Sequence, residues 1–100
     1  MTDDRLGEVL LLDNGAVRVW QDRVAPGAEQ ATHTHRNPYL SVMVTPVRAQ
    51  VVGAAGEVLY DVEREPGEVR WFDEVPRTHR LRNTGEHEVV VVVVEVLARR

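Results

Sequence analysis

The stretch Gly27-Ala28-Glu29-Gln30-Ala31-Thr32-His33-Thr34-His35 carries the pattern from which the rest of the chain can be placed. Successive side chains of an extended strand point to opposite faces, so His33 and His35 project to the same side. Two imidazoles on one face suit a divalent cation that takes neutral nitrogen ligands. A third imidazole must come from elsewhere in the fold, and His79, just after a turn, is the candidate. The remaining histidine, His87, lies in a polar stretch and is expected on the surface.

The chain contains a glycine, five residues and then a His-x-His pair, and later a His-x-x-x-Asn segment after a proline-containing turn. These two segments resemble the two motifs of the cupin superfamily. The first motif corresponds to Gly27 through His35, and the second to His79 through Asn83. The resemblance covers roughly Val17 to Val96 and is closest to small single-domain bacterial cupins of the conserved-barrel type, some of them grouped with β-alanine degradation. It implies an all-β fold, a small antiparallel β-barrel of the double-stranded β-helix or jelly-roll type. It also implies one divalent metal on His33, His35 and His79.

Two parts of the cupin motifs are absent from this chain. Where the first motif continues to a Glu, the sequence has Tyr39 and Leu40, and the second motif lacks its internal glycine. Three neutral imidazoles leave the full double positive charge on an ion, so the centre is expected to attract anionic ligands. Three-histidine ferrous sites occur in cupins that oxygenate thiols and diketones, so the resemblance implies dioxygenase chemistry as one expectation. The other is a degenerate site that holds metal weakly or not at all.

Several side chains near the motifs have two interpretations. Tyr39 could orient a metal-bound ligand as a catalytic group, or it could pack in the core. Glu29 shares the strand parity of His33, but four extended residues span about 13 Å, too far for both to bind one ion. Asn83 is interpreted as a turn or capping residue outside the metal shell. Imidazole suits several ions, so Fe, Zn, Mn, Ni and Cu all remain open, with affinity expected to fall below the free imidazole pKa of about 6.5.

Length and composition indicate one ordinary globular domain. The chain has 100 residues, 43% hydrophobic and 28% charged, and is expected to form a single domain over residues 1–100 with its core over about 16–97. A net charge of −4 opposes binding to nucleic acid or acidic membranes. The absence of cysteine excludes disulfides and thiolate chemistry and favours a reducing compartment. With no signal-peptide or membrane-spanning pattern, a cytoplasmic location is expected.

Short β-favouring segments alternate with turn signals along the chain. The predicted strands cover residues 8–12, 16–24, 31–35, 40–45, 47–53, 58–63, 68–72, 79–83 and 88–97. The six valines from Val89 to Val94 do not alternate with polar residues, so both faces of that strand are expected to be covered. Because such a run at a sheet edge promotes aggregation, the barrel interior on one face and a second subunit on the other are predicted. A homodimer is therefore expected, as the resemblance also implies.

The ligand cavity can be described only in outline from the sequence. Four side chains could line it or fill the core: Trp20, Trp71, Phe72 and Met43. Arg80 and Arg82 lie on the strand face opposite His79 and are expected to pair with carboxylates. One arginine of the basic cluster formed by Arg70, Arg77, Arg80 and Arg82 could instead bind a substrate carboxylate. Three hypotheses for the function remain. The first is a metal-dependent enzyme that acts on a small polar or anionic metabolite, with dioxygenase chemistry favoured over isomerase or hydrolase chemistry. The second is a non-enzymatic binding or sensing module, and the third is a barrel that has lost its metal site.

Overall fold

The computed structural model describes residues 9–97, and the strands there follow the predicted turn pattern. They are β1 (Val9–Asp13), β2 (Val17–Val24), β3 (His33–His35), β4 (Tyr39–Met43), β5 (Val47–Val52), β6 (Val58–Arg64), β7 (Val69–Phe72), β8 (Arg77–Asn83) and β9 (Val89–Val96). The hairpin between β1 and β2 needs Gly15, whose φ of 83° is left-handed backbone that glycine adopts without strain. The described residues contain no helix that is long and apolar enough to cross a membrane.

The strands form two antiparallel sheets, the double-stranded β-helix arrangement of cupins. One sheet has five strands in the order β1-β2-β9-β4-β7, and the other has four in the order β3-β8-β5-β6. The inner faces of both sheets meet in one apolar cluster, which includes Val51 and Val62 from the smaller sheet and Met43 and Val91 from the larger. The all-β jelly-roll prediction is therefore confirmed.

Strand β9 lies in the middle of the larger sheet, paired with β2 on one side and β4 on the other. The valine run is thus kept away from a sheet edge. On the inner face Val89 is 1% exposed and Val93 is 8% exposed. On the outer face Val92 and Val94 are half-buried. The expectation that both faces are covered holds for the inner face and only partly for the outer face of a single chain.

The two tryptophans have different environments. Trp20 packs in the core at 7% exposure, and its indole Nε1 donates to Glu95 Oε1 at 3.4 Å. Trp71 is 54% exposed, so the expectation that it lines the cavity or fills the core is wrong. The reason is the register of β7 on β4: Trp71 pairs with Leu40, and this pair faces outward, whereas Phe72 faces inward with Tyr39.

Candidate metal centre

Strands β3 and β8 bring the three predicted histidines together on the inner face of the smaller sheet. The register places His33 directly opposite His79, and His35 is two residues from His33 on the same face. The ring centroids are 4.8 Å apart for His33 and His35, 4.9 Å for His33 and His79, and 5.0 Å for His35 and His79. One nitrogen of each ring lies within 4.8 Å of the other two. The sequence motifs therefore converge on one three-histidine cluster that could hold a metal ion.

Burial keeps two of these imidazoles neutral. Burial, assisted by the neighbouring His33, His79 and Arg77, lowers the pKa of His35 to about 2. Burial, assisted by His33 and Arg77, lowers the pKa of His79 to about 3. Because a metal ligand must be unprotonated, both rings are ready to bind an ion at neutral pH. The expectation that affinity falls as soon as pH drops below 6.5 used the pKa of a free imidazole, which these two buried rings do not have.

Hydrogen-bond partners fix the proton positions on the rings. A carbonyl can only accept, so His33 Nδ1 donates to Ala31 O at 3.0 Å and Nε2 carries the lone pair, the usual support of a metal-binding histidine. A guanidinium can only donate, so Arg77 Nε gives its hydrogen to His79 Nδ1 at 3.2 Å. The proton of His79 is then on Nε2, which donates to His35 Nε2 at 3.1 Å. This leaves the buried His35 Nδ1–H without a hydrogen-bond partner among residues 9–97.

The donor set fits a divalent transition metal. Three nitrogens bound at about 2.0–2.1 Å with tetrahedral angles lie roughly 3.4 Å apart. His35 Nε2 and His79 Nε2 are already at 3.1 Å, and the remaining separations, at most 4.8 Å, require small ring movements. The Nε2 atoms of His33 and His35 have the lone pair that an ion needs. His79 must shift its proton from Nε2 to Nδ1, which ends its hydrogen bond from Arg77.

A small cavity of about 90 Å³ opens beside the histidines. This is well below the roughly 300–1,000 Å³ of pockets for drug-sized ligands, so the ligand must be small. Its apolar wall includes Val91 together with Met43 and Phe72, two of the side chains for which the sequence allowed either the cavity or the core. Its charged lining consists of four arginines, Arg64, Arg70, Arg77 and Arg80, with no Asp or Glu among the described lining residues. The cavity is therefore electropositive even before a cation binds.

Tyr39 occupies the position of the missing motif Glu and both packs and faces the cavity. Its ring stacks on His35 at 3.8 Å between centroids and on Phe72 at 4.8 Å, and the residue is 3% exposed. Burial raises the pKa of Tyr39 to about 12, partly opposed by Arg77, so the phenol is protonated at neutral pH. Within the described part of the chain its hydroxyl makes no hydrogen bond. Tyr39 lines the cavity, so this hydroxyl can donate to a small ligand there.

The other motif residues have structural roles. Asn83, 1% exposed, donates from Nδ2 to Val24 O at 2.9 Å and His87 O at 2.8 Å, and its Oδ1 accepts from Gly85 N at 2.9 Å. It closes the turn after β8 and stays outside the histidine cluster, as predicted. Glu29 accepts from Arg80 Nε at 2.6 Å and lies 3.3 Å from Arg82 Nε, which confirms that both arginines pair with a carboxylate, although Arg80 also lines the cavity. His87 is on the surface, also as predicted.

Arg77 lies on the inner face of the smaller sheet, which was not predicted from the sequence. It pairs with His35 across the β3–β8 ladder and shares a strand face with His79. The predicted strand began at His79, which put Arg77 in the preceding turn. The signal was nevertheless present: extending the two-residue period of His79 backwards by one step reaches Arg77.

Comparison with known proteins agrees with this geometry. No protein-family model and no curated protein matches the chain. A solved cupin domain from Bordetella pertussis Tohama I is 26% identical, with a TM-score of 0.79 over 90% of this chain and 91% of that one. A cupin 2 conserved barrel domain protein from Salinispora arenicola is 20% identical, with a TM-score of 0.62 over 91% of this chain and 71% of that one. A sugar phosphate isomerase from the cupin superfamily of Silicibacter pomeroyi is 22% identical, with a TM-score of 0.56 over 84% of this chain and 52% of that one.

The last two structures share the fold alone with this chain, whereas the first also shares a quarter of its sequence over nearly the whole length. Two antiparallel sheets of the double-stranded β-helix type, with both histidine motifs meeting on the inner face, give the same classification independently. The chain thus has the fold of the small single-barrel cupins.

Proposed function

We propose that this cupin is a metal-dependent enzyme that acts on a small anionic metabolite by dioxygenase chemistry at His33, His35 and His79. The observation that carries the proposal is the three-histidine cluster at a cavity lined by four arginines and no described acidic side chain. A bound ferrous ion would supply the centre at which dioxygen and substrate meet. In a dioxygenase both oxygen atoms enter the substrate, so no separate reductant is needed.

The residues of the chain have distinct roles in this proposal. The net positive charge of the cavity attracts the anion, since a cavity lined with one sign of charge raises the local concentration of the opposite sign. The Tyr39 hydroxyl donates a hydrogen bond that orients the ligand. The apolar wall formed by Met43, Phe72 and Val91 excludes water from the remainder of the substrate. The small volume, about 90 Å³, restricts the substrate to a few non-hydrogen atoms beyond its anionic group.

Oxygen uptake tests the proposal. Iron-reconstituted protein is expected to consume dioxygen with a set of short-chain acids, ketoacids, diketones and thiols, and His35→Ala is expected to lose this activity completely. Tyr39→Phe should lower kcat while the iron content is kept, because only the orienting hydroxyl is removed. His87→Ala, on the surface, is the matched control and should keep full activity. Turnover that survives in His35→Ala would contradict the proposed site.

A second function is favoured by the hydrogen bonds within the cluster. Hydrogen bonds join Arg77, His79 and His35 in a chain that needs no ion. A non-enzymatic module that binds or senses a small anion without metal is compatible with this arrangement. Ligand binding that is unchanged after complete removal of metal would favour the binding module over the enzyme.

We also propose that two copies of the chain associate through the outer face of the larger sheet. That face is apolar across β9, β4 and β7, where it presents Val92, Val94, Val42, Val69 and Trp71. Val69 is 52% exposed and Trp71 is 54% exposed. Large apolar side chains exposed side by side on one sheet face indicate an interaction site. The partner that this surface favours is a second copy of the chain. Each chain carries a net charge of −4, but two such uncharged faces can pack against each other about a two-fold axis without like-charge repulsion at the interface.

Light scattering with a charged variant tests the dimer. The wild-type protein is expected to have twice the chain mass at micromolar concentration, and Trp71→Lys is expected to shift it to the monomer because two lysines would oppose each other near the axis. Leu59→Lys is the control: Leu59 is 47% exposed but belongs to β6 in the other sheet. A wild-type monomer would rule out this association, and an equal effect of Leu59→Lys would rule out this face.

A further inference from the structure

We infer that Arg77 is the residue that binds the carboxylate of a small ligand in this cavity, and that the ligand class is short-chain carboxylic acids. The inference deepens the proposed function, since it assigns the anionic group of the substrate and the side chain that selects it. It concerns binding, so it can be tested on metal-free protein.

The first observation is the charge balance of the four cavity arginines. Arg70 Nη2 lies 3.2 Å from Glu68 Oε2, and Arg64 Nε lies 3.8 Å from the same oxygen. Arg80 Nε lies 2.6 Å from Glu29 Oε1. Arg77 differs from all three, because no carboxylate of residues 9–97 lies within ion-pair distance of its guanidinium. A partly buried cation without a counter-charge is costly, and a bound anion would offset that cost.

The second observation is how the guanidinium of Arg77 is held. It lies 4.6 Å from the centre of the Phe72 ring and 5.6 Å from that of Tyr60. Its Nη2 donates to the Tyr60 hydroxyl, and its Nε donates to His79 Nδ1. Aromatic contacts and these two hydrogen bonds fix the orientation of the planar group before any ligand arrives. Little conformational entropy then remains to be lost on binding.

The third observation is the number of unused donors. A guanidinium has five N–H groups in a planar arrangement that matches the two oxygens of a carboxylate. Two of the five are used by Tyr60 and His79, so three remain for a ligand. Arg77 also pairs with His35 across the β3–β8 ladder. A carboxylate on Arg77 is therefore next to the histidine cluster, and the rest of a short molecule extends along the apolar wall.

The ligand class follows from charge, shape and volume together. A planar anion matches the planar donor group, and the cavity of about 90 Å³ has space for a short carboxylic acid but not for a nucleotide or a disaccharide. Met43 and Val91 favour an apolar or weakly polar remainder over a second charged group at the cavity floor.

The test is the binding of acetate and of its neutral isostere acetamide to metal-free protein, followed by NMR titration at constant ionic strength. Acetate is expected to bind more tightly than acetamide. Arg77→Gln is expected to weaken acetate binding about 10- to 100-fold, the range for hydrogen bonds to a charged group, and to leave acetamide binding unchanged. Arg70→Gln is the matched control, because Arg70 lines the same cavity but is paired with Glu68, and it should keep the wild-type affinity.

Each outcome decides the inference. Equal affinities for acetate and acetamide in the wild type would overturn the ligand class, and equal losses in Arg70→Gln and Arg77→Gln would overturn the assignment to Arg77. If Arg77→Gln does not fold, Arg77→Lys replaces it: a lysine keeps the charge but not the planar donors, so an intermediate affinity is expected and full affinity would contradict the inference. Failure of metal binding would refute the proposed enzyme without touching these titrations, which contain no metal.

Discussion

Substituting His79 with alanine is expected to abolish stoichiometric metal binding. The wild-type chain should take up close to one equivalent of a divalent ion after reconstitution with iron, zinc, manganese, nickel or copper. His79 would supply the ligand from the second motif, and it lies directly across the ladder from His33. Changes in groups that merely support metal ligands already weaken affinity about 10- to 100-fold, so loss of a ligand itself should weaken it by at least about 100-fold. Elemental analysis and equilibrium dialysis of tag-free protein measure this.

The control for this experiment is His87→Ala, which removes the exposed histidine outside the cluster and should leave the metal content unchanged. Cooperative urea unfolding of His79→Ala must be seen as well, so that metal loss is not a consequence of misfolding; His33→Ala serves if His79→Ala fails this check. Full metal retention in a folded His79→Ala protein would exclude the three-histidine centre. A wild-type chain that takes up none of the five ions would favour the metal-free binding module.

Acidification is expected to destabilise the metal-free protein strongly between pH 6.5 and 5. In the unfolded chain both His35 and His79 take up protons as pH falls through about 6.5. In the folded chain burial lowers the pKa of His35 to about 2 and that of His79 to about 3, so neither ring is protonated in this window. The unfolded state binds more protons, and the free energy of unfolding therefore decreases as pH falls.

The size of the effect follows from the same two histidines. Each contributes at most about 1.4 kcal/mol per pH unit and half of that at its unfolded pKa, so the pair contributes roughly 3 kcal/mol between pH 6.5 and 5. This is a large part of the 5–15 kcal/mol by which domains are typically stable. The decrease should become shallower only near pH 2–3, where the folded protein is also protonated.

Urea unfolding at a series of pH values measures the slope. His35→Gln and His79→Gln are each expected to reduce it by about one proton, because each variant removes one group that is neutral only in the folded state. His87→Gln changes an exposed ring outside the cluster and serves as the control. A wild-type slope close to zero between pH 6.5 and 5 would show that the two rings are accessible to protons, contrary to their burial in the structure.

Much of the molecule was determined by local sequence. Nine strands were predicted close to their observed bounds from turn residues such as Gly15 and from runs of β-branched residues. This was possible because strand propensity and left-handed turn geometry are local properties. The two-residue period alone put His33 and His35 on one face. The turn before His79, the polar surroundings of His87 and the resemblance to the cupin motifs together selected His79 as the third member of the cluster.

The tertiary structure decided which residues lie opposite one another on neighbouring strands. Ladder register places His33 opposite His79 and Arg77 opposite His35, and no pattern within a single strand specifies a partner on another. Register also turned Trp71 outward. Glu29 pairs with Arg80 and Arg82, which lie about fifty positions away in the sequence. Among the described residues, this leaves Arg77 as the cavity arginine that has no carboxylate partner. The lowered pKa values of His35 and His79 have the same origin, because burial is a property of the packed sheets and not of the sequence around each ring.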